Sequence, residues 1–300
     1  MRPVPEPGQH GGDGPAVAAA LGFDPGDLLD LSQNLNPFAP DVGALVGRRL
    51  SSLRRYPDPA LATERFAAAL GVDPGRLLLT NGGSEAIHLV ATELGGRVTS
   101  EPEFALHPRG TDGPRWRSNP HSPSGVLAGP GERADVWDEA FYSLATGKWS
   151  ADRPDAFVVG SLTKTFACPG LRLGYLLVPD TAVLSSFSRH QPRWSVSSLA
   201  LASVPDLLRA ADLPTWQAQI ASARADLVAL LQRRGFQVDA HAAPWVLVHD
   251  GSLRRVLAPH GVLVRDCSSF GRPDLTRIAV PDAAGLERLR LALDAILARR

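Results

Sequence analysis

Lysine is almost missing from this 300-residue chain. Of its 31 basic residues only Lys148 and Lys164 are lysines, and the others are arginines. Where any cation would do, the sequence uses arginine. A lysine retained in the stretch 160–175, among small and apolar residues, therefore points to chemistry that a guanidinium cannot perform. An amine of lowered pKa can form a Schiff base, whereas arginine stays protonated; a solvated loop lysine is the plainer alternative. Cysteine is also scarce. Cys168 and Cys267 lie far apart without CxxC spacing, which leaves no disulfide framework and no zinc site, and no metal is expected. No apolar run nears the roughly 20 residues that span a bilayer. The formal net charge is zero, which argues against nucleic acid or an anionic membrane surface as the main partner. The GxGxxG dinucleotide fingerprint is absent. Prolines crowd the N-terminus where a signal peptide needs an apolar core, so a cytoplasmic protein is expected.

What is present is a chain 44% hydrophobic, enough for one large domain with a lobe or for two domains. Glycine and proline are scattered, with no long linker or repeat. The pattern predicts helices over 42–55 and 60–70, a buried strand at 77–79, and a helix from Ala86 to about Leu94. Short strands are expected at 134–138 and 156–160, and another over 171–178. Strands separated by helices imply a mostly parallel sheet with its site at the strand C-terminal ends. Beyond about 190 come a long helix (about 215–234), strands near 236–239, 244–249, 261–265 and 275–280, and a last helix at 283–299.

Several stretches carry chemistry or a blander equivalent. The strand at 77–79 runs through Asn81-Gly82-Gly83-Ser84-Glu85 into a helix, a geometry that aims free backbone N–H groups at an anion. Asn119-Pro-His-Ser-Pro-Ser-Gly125, taken alone, is a turn. So is Leu31-Ser-Gln-Asn-Leu-Asn-Pro37. Phe104 reads equally well as core. Asp138 ends a strand, where acids are usually solvated, and Arg265 and Arg277 each lie on an apolar strand, where a lone arginine usually faces water.

In order, N-G-G-S-E, N-P-H-S-P-S-G, D-E-A-F and S-L-T-K-T-F-A-C-P-G-L-R resemble the motifs of fold-type I, aspartate aminotransferase-like, pyridoxal-phosphate enzymes. The resemblance covers nearly the whole chain. It implies an α/β fold: an N-terminal arm (1–36) closing on the site, a large domain (37–189) with a mostly parallel sheet between helices, and a smaller α+β domain (190–300). It implies pyridoxal 5'-phosphate as cofactor, bound through Lys164. The cofactor phosphate falls to Gly83, Ser84, Glu85, Ser161, Thr163 and Arg172, with Tyr56 reaching it from the other subunit of a homodimer. Phe104 stacks on the ring, with His107 stacking or hydrogen-bonding behind it. Asn119 donates to the ring oxygen, and Asp138 pairs with the ring nitrogen. Arg277 clamps the substrate α-carboxylate, while His10, Asn36 and Arg265 complete the substrate contacts.

Two departures from the family stand out. A tyrosine often found three residues after the aspartate is Phe141 here, and the intervals 104–119 and 125–138 are short, so at least one peripheral strand–helix crossover is missing. His10-Gly11-Gly12, D-E-A-F and V-R-D-C together resemble threonine-phosphate decarboxylases of cobalamin biosynthesis. Histidinol-phosphate-type transamination is the second expectation, and a non-catalytic pyridoxal-phosphate-binding protein the third.

Overall fold

The computed structural model describes residues 3–8, 11–150 and 153–298. The N-terminal segment carries helix α1 (Gly14–Leu21) and strand β1 (Leu29–Asp30), then α2 (Val42–Gly47) and α3 (Ala60–Leu70). The expected helix over 42–55 is broken: α2 stops at Gly47 and a tighter 3₁₀ turn covers Leu50–Arg54. There follow β2 (Leu77–Thr80), α4 (Gly82–Leu94), β3 (Arg97–Val98), β4 (Arg115–Ser118), β5 (Val136–Asp138) and α5 (Tyr142–Thr146). Next come β6 (Phe157–Ser161), α6 (Leu162–Thr165), β7 (Gly174–Leu177), α7 (Leu184–Ser188), α8 (Ser198–Ala210) and α9 (Leu213–Gln232). The C-terminal part holds β8 (Val238–Ala240), β9 (Trp245–Val248), α10 (Leu253–Leu257), β10 (Val262–Leu263), β11 (Arg265–Asp266), β12 (Thr276–Ala279) and α11 (Ala283–Leu297). Polar caps fix several helix starts. Ser197 accepts from Ala200 N (3.1 Å) at α8, and Asp282 from Gly285 N (2.7 Å) at α11, each contact worth about 1 kcal/mol.

Six strands form the main sheet in the order β2-β7-β6-β5-β4-β3. β3 to β6 run parallel, and β7 is antiparallel to both of its neighbours. Nearly every residue of β6 and β7 is buried, as expected where helices cover both faces of a sheet. The parallel strands end near one another: Ser118 is the register partner of Asp138, and Asp138 pairs with Val159, two residues before Ser161 at the end of β6.

The crossovers from β3 to β4 (99–114) and from β4 to β5 (119–135) contain no helix. Parallel strands are usually joined through one, so the trimming expected from the short intervals is a feature of the fold. Side chains cover the sheet instead. Trp116 is buried and donates to Gly95 O (3.0 Å). Trp137 lies under the Arg153 guanidinium at 3.4 Å, and Arg153 is paired with the buried Glu139 at 3.0 Å.

The second sheet, β11-β12-β9-β8, is antiparallel and packs against α9 and α11. α8, which the pattern did not reveal, packs on α3, so the main core continues through Val204 and Leu207 to Trp216. α9 leaves that core and enters the next, through Leu227, Leu230 and Leu231. The N-terminal arm joins neither large sheet edge. β1 pairs parallel with β10, and Leu31 is threaded between two strands, its N–H donating to Leu263 O and its carbonyl accepting from Ala279 N.

Candidate active site

β6 leaves the sheet at Ser161, and one turn of helix, α6, presents Lys164 into a cavity of about 600 Å³. The arm lies across this turn. Lys164 Nζ donates to Gln33 O (3.0 Å), Asn36 N donates to Lys164 O (3.1 Å), and Asn36 Nδ2 donates to Thr165 O (2.9 Å). Burial, aided by Arg277 and Arg172, pushes the amine down to about 8. Phe141 faces it with the ring centroid 5.8 Å from Nζ.

On one side of the lysine the start of α4 and Arg172 form a cationic corner. Arg172 Nη2 donates to Ser84 Oγ (2.9 Å), and the ring of hydroxyls continues with Ser161 and Thr163 at the same cavity. Gly82 has φ +76°, and a Cβ there would stand 2.4 Å from Arg172 Nη2. Only glycine leaves room for the guanidinium at that turn. Glu85 takes a different part from the one expected. Its carboxylate accepts from Asn81 N (2.7 Å) and Gln191 Nε2 (3.0 Å) and meets Ser195 Oγ, so it braces the glycine turn from behind rather than facing the cavity.

Opposite stands the Asp138 carboxylate, with Phe104 and Phe141 on the same cavity. Asp138 Oδ1 accepts from Ala140 N (3.0 Å), and Oδ2 lies 3.0 Å from His107 Nε2. His107 sits behind Asp138, where it hydrogen-bonds rather than stacks. Its other nitrogen is 3.5 Å from the buried Glu103 carboxylate, an ion pair rather than a hydrogen bond. Burial alone would lower the imidazole, but Asp138 and Glu103 outweigh it and raise the ring to about 9. Asn119 is buried beside Asp138, its N–H on Asp138 O (2.7 Å) and its side-chain oxygen accepting from Ala128 N (2.9 Å).

Two arginines close the other end. Arg265 on β11 and Arg277 on β12 are direct register partners, and both line the cavity. With the Asn34 amide turned so that its oxygen faces the guanidinium, that oxygen accepts from Arg277 Nη2 (3.0 Å) and Nε (3.1 Å). Burial lowers Arg277 to about 10, with Arg265 adding to the fall. The Arg277 guanidinium lies 5.1 Å from the Trp245 ring and 5.5 Å from Phe270, which is in turn 5.9 Å from Arg265. Arg265 also donates to Ser269 Oγ (2.8 Å) and to Gly8 O of the arm (3.4 Å).

The structure thus gathers Lys164, Asp138, Phe104, Gly83, Ser84, Ser161, Thr163, Arg172, Arg265 and Arg277 around one cavity. Two expectations change. Asn36 is spent on the lysine turn, its Oδ1 accepting from Phe38 N (3.0 Å), and Asn34, two residues earlier, is the arm amide that meets Arg277. Glu85 braces the turn. Tyr56 is 77% exposed and stacks on Trp194 at 4.6 Å, outside this chain's own cavity. His10 lies outside the described residues. Asn34 sits at φ +52°, a left-handed conformation in which asparagine is several-fold enriched among non-glycine residues, but the sequence does not distinguish it from Asn36. Glu103 had none, because burial of a carboxylate cannot be read from its neighbours in sequence.

The family model for aminotransferases of class I and II matches residues 118–293. Threonine-phosphate decarboxylase of Salmonella typhimurium is 30% identical, with 96% of each chain covered. That alignment runs over 354 positions, more than the chain's 300 residues, so this relative carries segments the present chain lacks. Histidinol-phosphate aminotransferase 2 of Methylococcus capsulatus is 27% identical, covering 90% of each. Among solved structures, histidinol-phosphate aminotransferase of Sinorhizobium meliloti in complex with pyridoxal-5'-phosphate superposes with a TM-score of 0.72 at 18% identity, over 89% of this chain and 90% of that one. The chain belongs to the class I and II aminotransferase family. It is an enzyme of that family, and its cofactor is pyridoxal 5'-phosphate. The cavity fits this group: an amine of lowered pKa stands between a guanidinium–hydroxyl corner suited to a phosphate and a carboxylate suited to a ring nitrogen.

Proposed function

We propose that this enzyme decarboxylates an amino acid that carries a phosphate, of the threonine-phosphate type. The observation that carries the reading is the cross-strand pair Arg265–Arg277. Like charges placed directly opposite one another destabilise a sheet, and both are buried in the wall of the lysine cavity. A substrate with two anionic groups relieves that repulsion. Arg277 with Asn34 takes the carboxylate as a planar fork, and Arg265 with Ser269 takes the phosphate. The named relative at 30% identity acts on such a compound.

In this reading Gly83, Ser84, Ser161, Thr163 and Arg172 hold the cofactor phosphate, Phe104 covers the ring, Asn119 meets the ring oxygen and Asp138 the ring nitrogen. The cofactor supplies an electron sink for the pair left when a bond at the substrate α-carbon breaks. Lys164 is the residue that would hold it, and its amine, at the α-carbon of a bound substrate, would hold or deliver a proton there. The arm, pinned at Gln33, Asn34 and Gly8, excludes water from that carbon. Phe141 offers no hydroxyl to the ring, which favours the decarboxylase reading over transamination. Carbon dioxide leaves, and the product is an aminopropanol phosphate, the unit that cobalamin side chains require. We place the enzyme in the cytoplasm as a homodimer, with the arm at 1–36, the large domain at 37–189 and the small domain at 190–300.

Mass spectrometry of products tests this. Purified protein and Lys164→Ala are given threonine phosphate without a keto acid, or histidinol phosphate with 2-oxoglutarate. Lysine-dependent aminopropanol phosphate in the first mixture is expected; glutamate formed only in the second would replace this reading by an aminotransferase.

A further inference from the structure

Glu103 is buried to 2% exposure, and no arginine or lysine pairs with its carboxylate among the described residues. Such a group is expensive unless every oxygen is satisfied. Its Oε1 accepts from Ser118 N (2.8 Å), and its Oε2 accepts from Ser118 Oγ (2.6 Å) and Phe104 N (3.0 Å) while facing His107 Nδ1 at 3.5 Å. The Arg109 guanidinium approaches only its main-chain carbonyl (3.1 Å). His107, also 2% exposed, therefore has a carboxylate against each ring nitrogen, Asp138 at 3.0 Å and Glu103 at 3.5 Å. A neutral imidazole owns one N–H and would turn a lone pair toward one of those carboxylates. Only the doubly protonated ring suits both.

We propose that Glu103 is a positioning residue that keeps His107 an imidazolium, so that Asp138 always receives its rear hydrogen bond from a charged donor. The effect is on the carboxylate that faces the cavity. A charged N–H donor 3.0 Å behind Asp138 occupies Oδ2 from the rear and holds the carboxylate in one orientation toward the cavity. Asp138 is thereby fixed as an acceptor. The charged groups around the ring are Glu103 and Asp138, with Arg109 Nη1 on the His107 carbonyl oxygen; the remaining faces meet Trp116 at 5.4 Å and Phe104 at 5.7 Å. The raised value of about 9 agrees with this arrangement. The assignment is independent of which substrate the enzyme takes.

The test is nitrogen NMR of the holoenzyme labelled with ¹⁵N-histidine, the His107 signals being those missing from His107→Gln. Both His107 nitrogens are expected to be protonated in the wild type at pH 7.5, with a midpoint near 9. In Glu103→Gln the midpoint should fall by about one to three units, the usual effect of losing one opposite charge at this range. The cofactor's visible absorption should acquire a pH transition at the lowered midpoint. Glu103→Asp, which keeps the charge, should restore most of the shift. A singly protonated wild-type ring at pH 7.5 overturns the proposal without any variant, and so does a midpoint that Glu103→Gln leaves in place.

Discussion

At the scale of the residue, the site depends on what surrounds each charge. Burial of Lys164 in its cavity, with Arg277 and Arg172 adding to it, lowers its amine to about 8. In the cofactor-free enzyme, the covalent capture of pyridoxal phosphate by Lys164 proposed above needs the uncharged amine. Its rate should rise about tenfold per pH unit until roughly pH 8 and level off above. Stopped-flow absorbance would show this, and a rate still climbing toward pH 10 would mean an ordinary lysine. The same lowering acts on stability: the unfolded chain binds a proton at Lys164 more tightly than the folded one, so folding gains as pH rises from about 8 toward the ordinary value of 10.5. How far such residues are legible depends on their type. Lys164 was legible because lysine is so rare here, whereas Asp138, Arg172, Arg265 and Arg277 were legible only through the family motifs they stand in, since an acid at a strand end or a lone arginine on a strand by itself reads as solvated. Asn34 and Asn36 differ only in backbone conformation, which no pattern of side chains announces. Glu103 and His107 owe their importance to a shared dry environment assembled by three separate segments.

Elements were legible where one period dominates over several turns. α3, α4, α9 and α11 fall within a few residues of expectation. α8 was missed because Pro205 interrupts it and its apolar face speaks for a helix only once α3 is there to cover it. β3 and β4 were missed because Arg97-Val98 and Arg115-Trp-Arg-Ser118 alternate too briefly to read as strands. The helix-free crossover 99–114 raises a further question of order, since it carries Phe104 and His107. Arg109 answers it. Its guanidinium donates to Glu101 Oε1 (2.9 Å), Phe104 O (2.9 Å), Ala105 O (3.3 Å) and Glu103 O (3.1 Å), and it also meets the His107 carbonyl. One side chain thus takes over the carbonyls that a helix would satisfy internally. Arg109→Ala should speed amide exchange across 103–107 and weaken cofactor retention roughly tenfold, the loss of about 1–2 kcal/mol of hydrogen bonding. Exchange confined to 109–112, with retention unchanged, would show that the loop orders itself.

At the scale of the molecule, Tyr56, Trp194, Leu50 and Leu53 are all more than half exposed. The homodimer proposed above would cover them and bring Tyr56 to the neighbouring cavity. Light scattering should then give twice 31.9 kDa, and Trp194→Arg should halve it. A fully active 31.9 kDa wild type would end that idea. The threading of Leu31 between Leu263 and Ala279 has a consequence for the order of manufacture. Ribosomes add about 5–20 residues per second, so the partners of Leu31 emerge on the order of 10–50 s after it. The lysine turn is made long before the strands that pin its cover. A chain stalled short of Ala279 would carry its reactive amine under an unfastened arm, and the newborn protein becomes an enzyme only once that strand has been made.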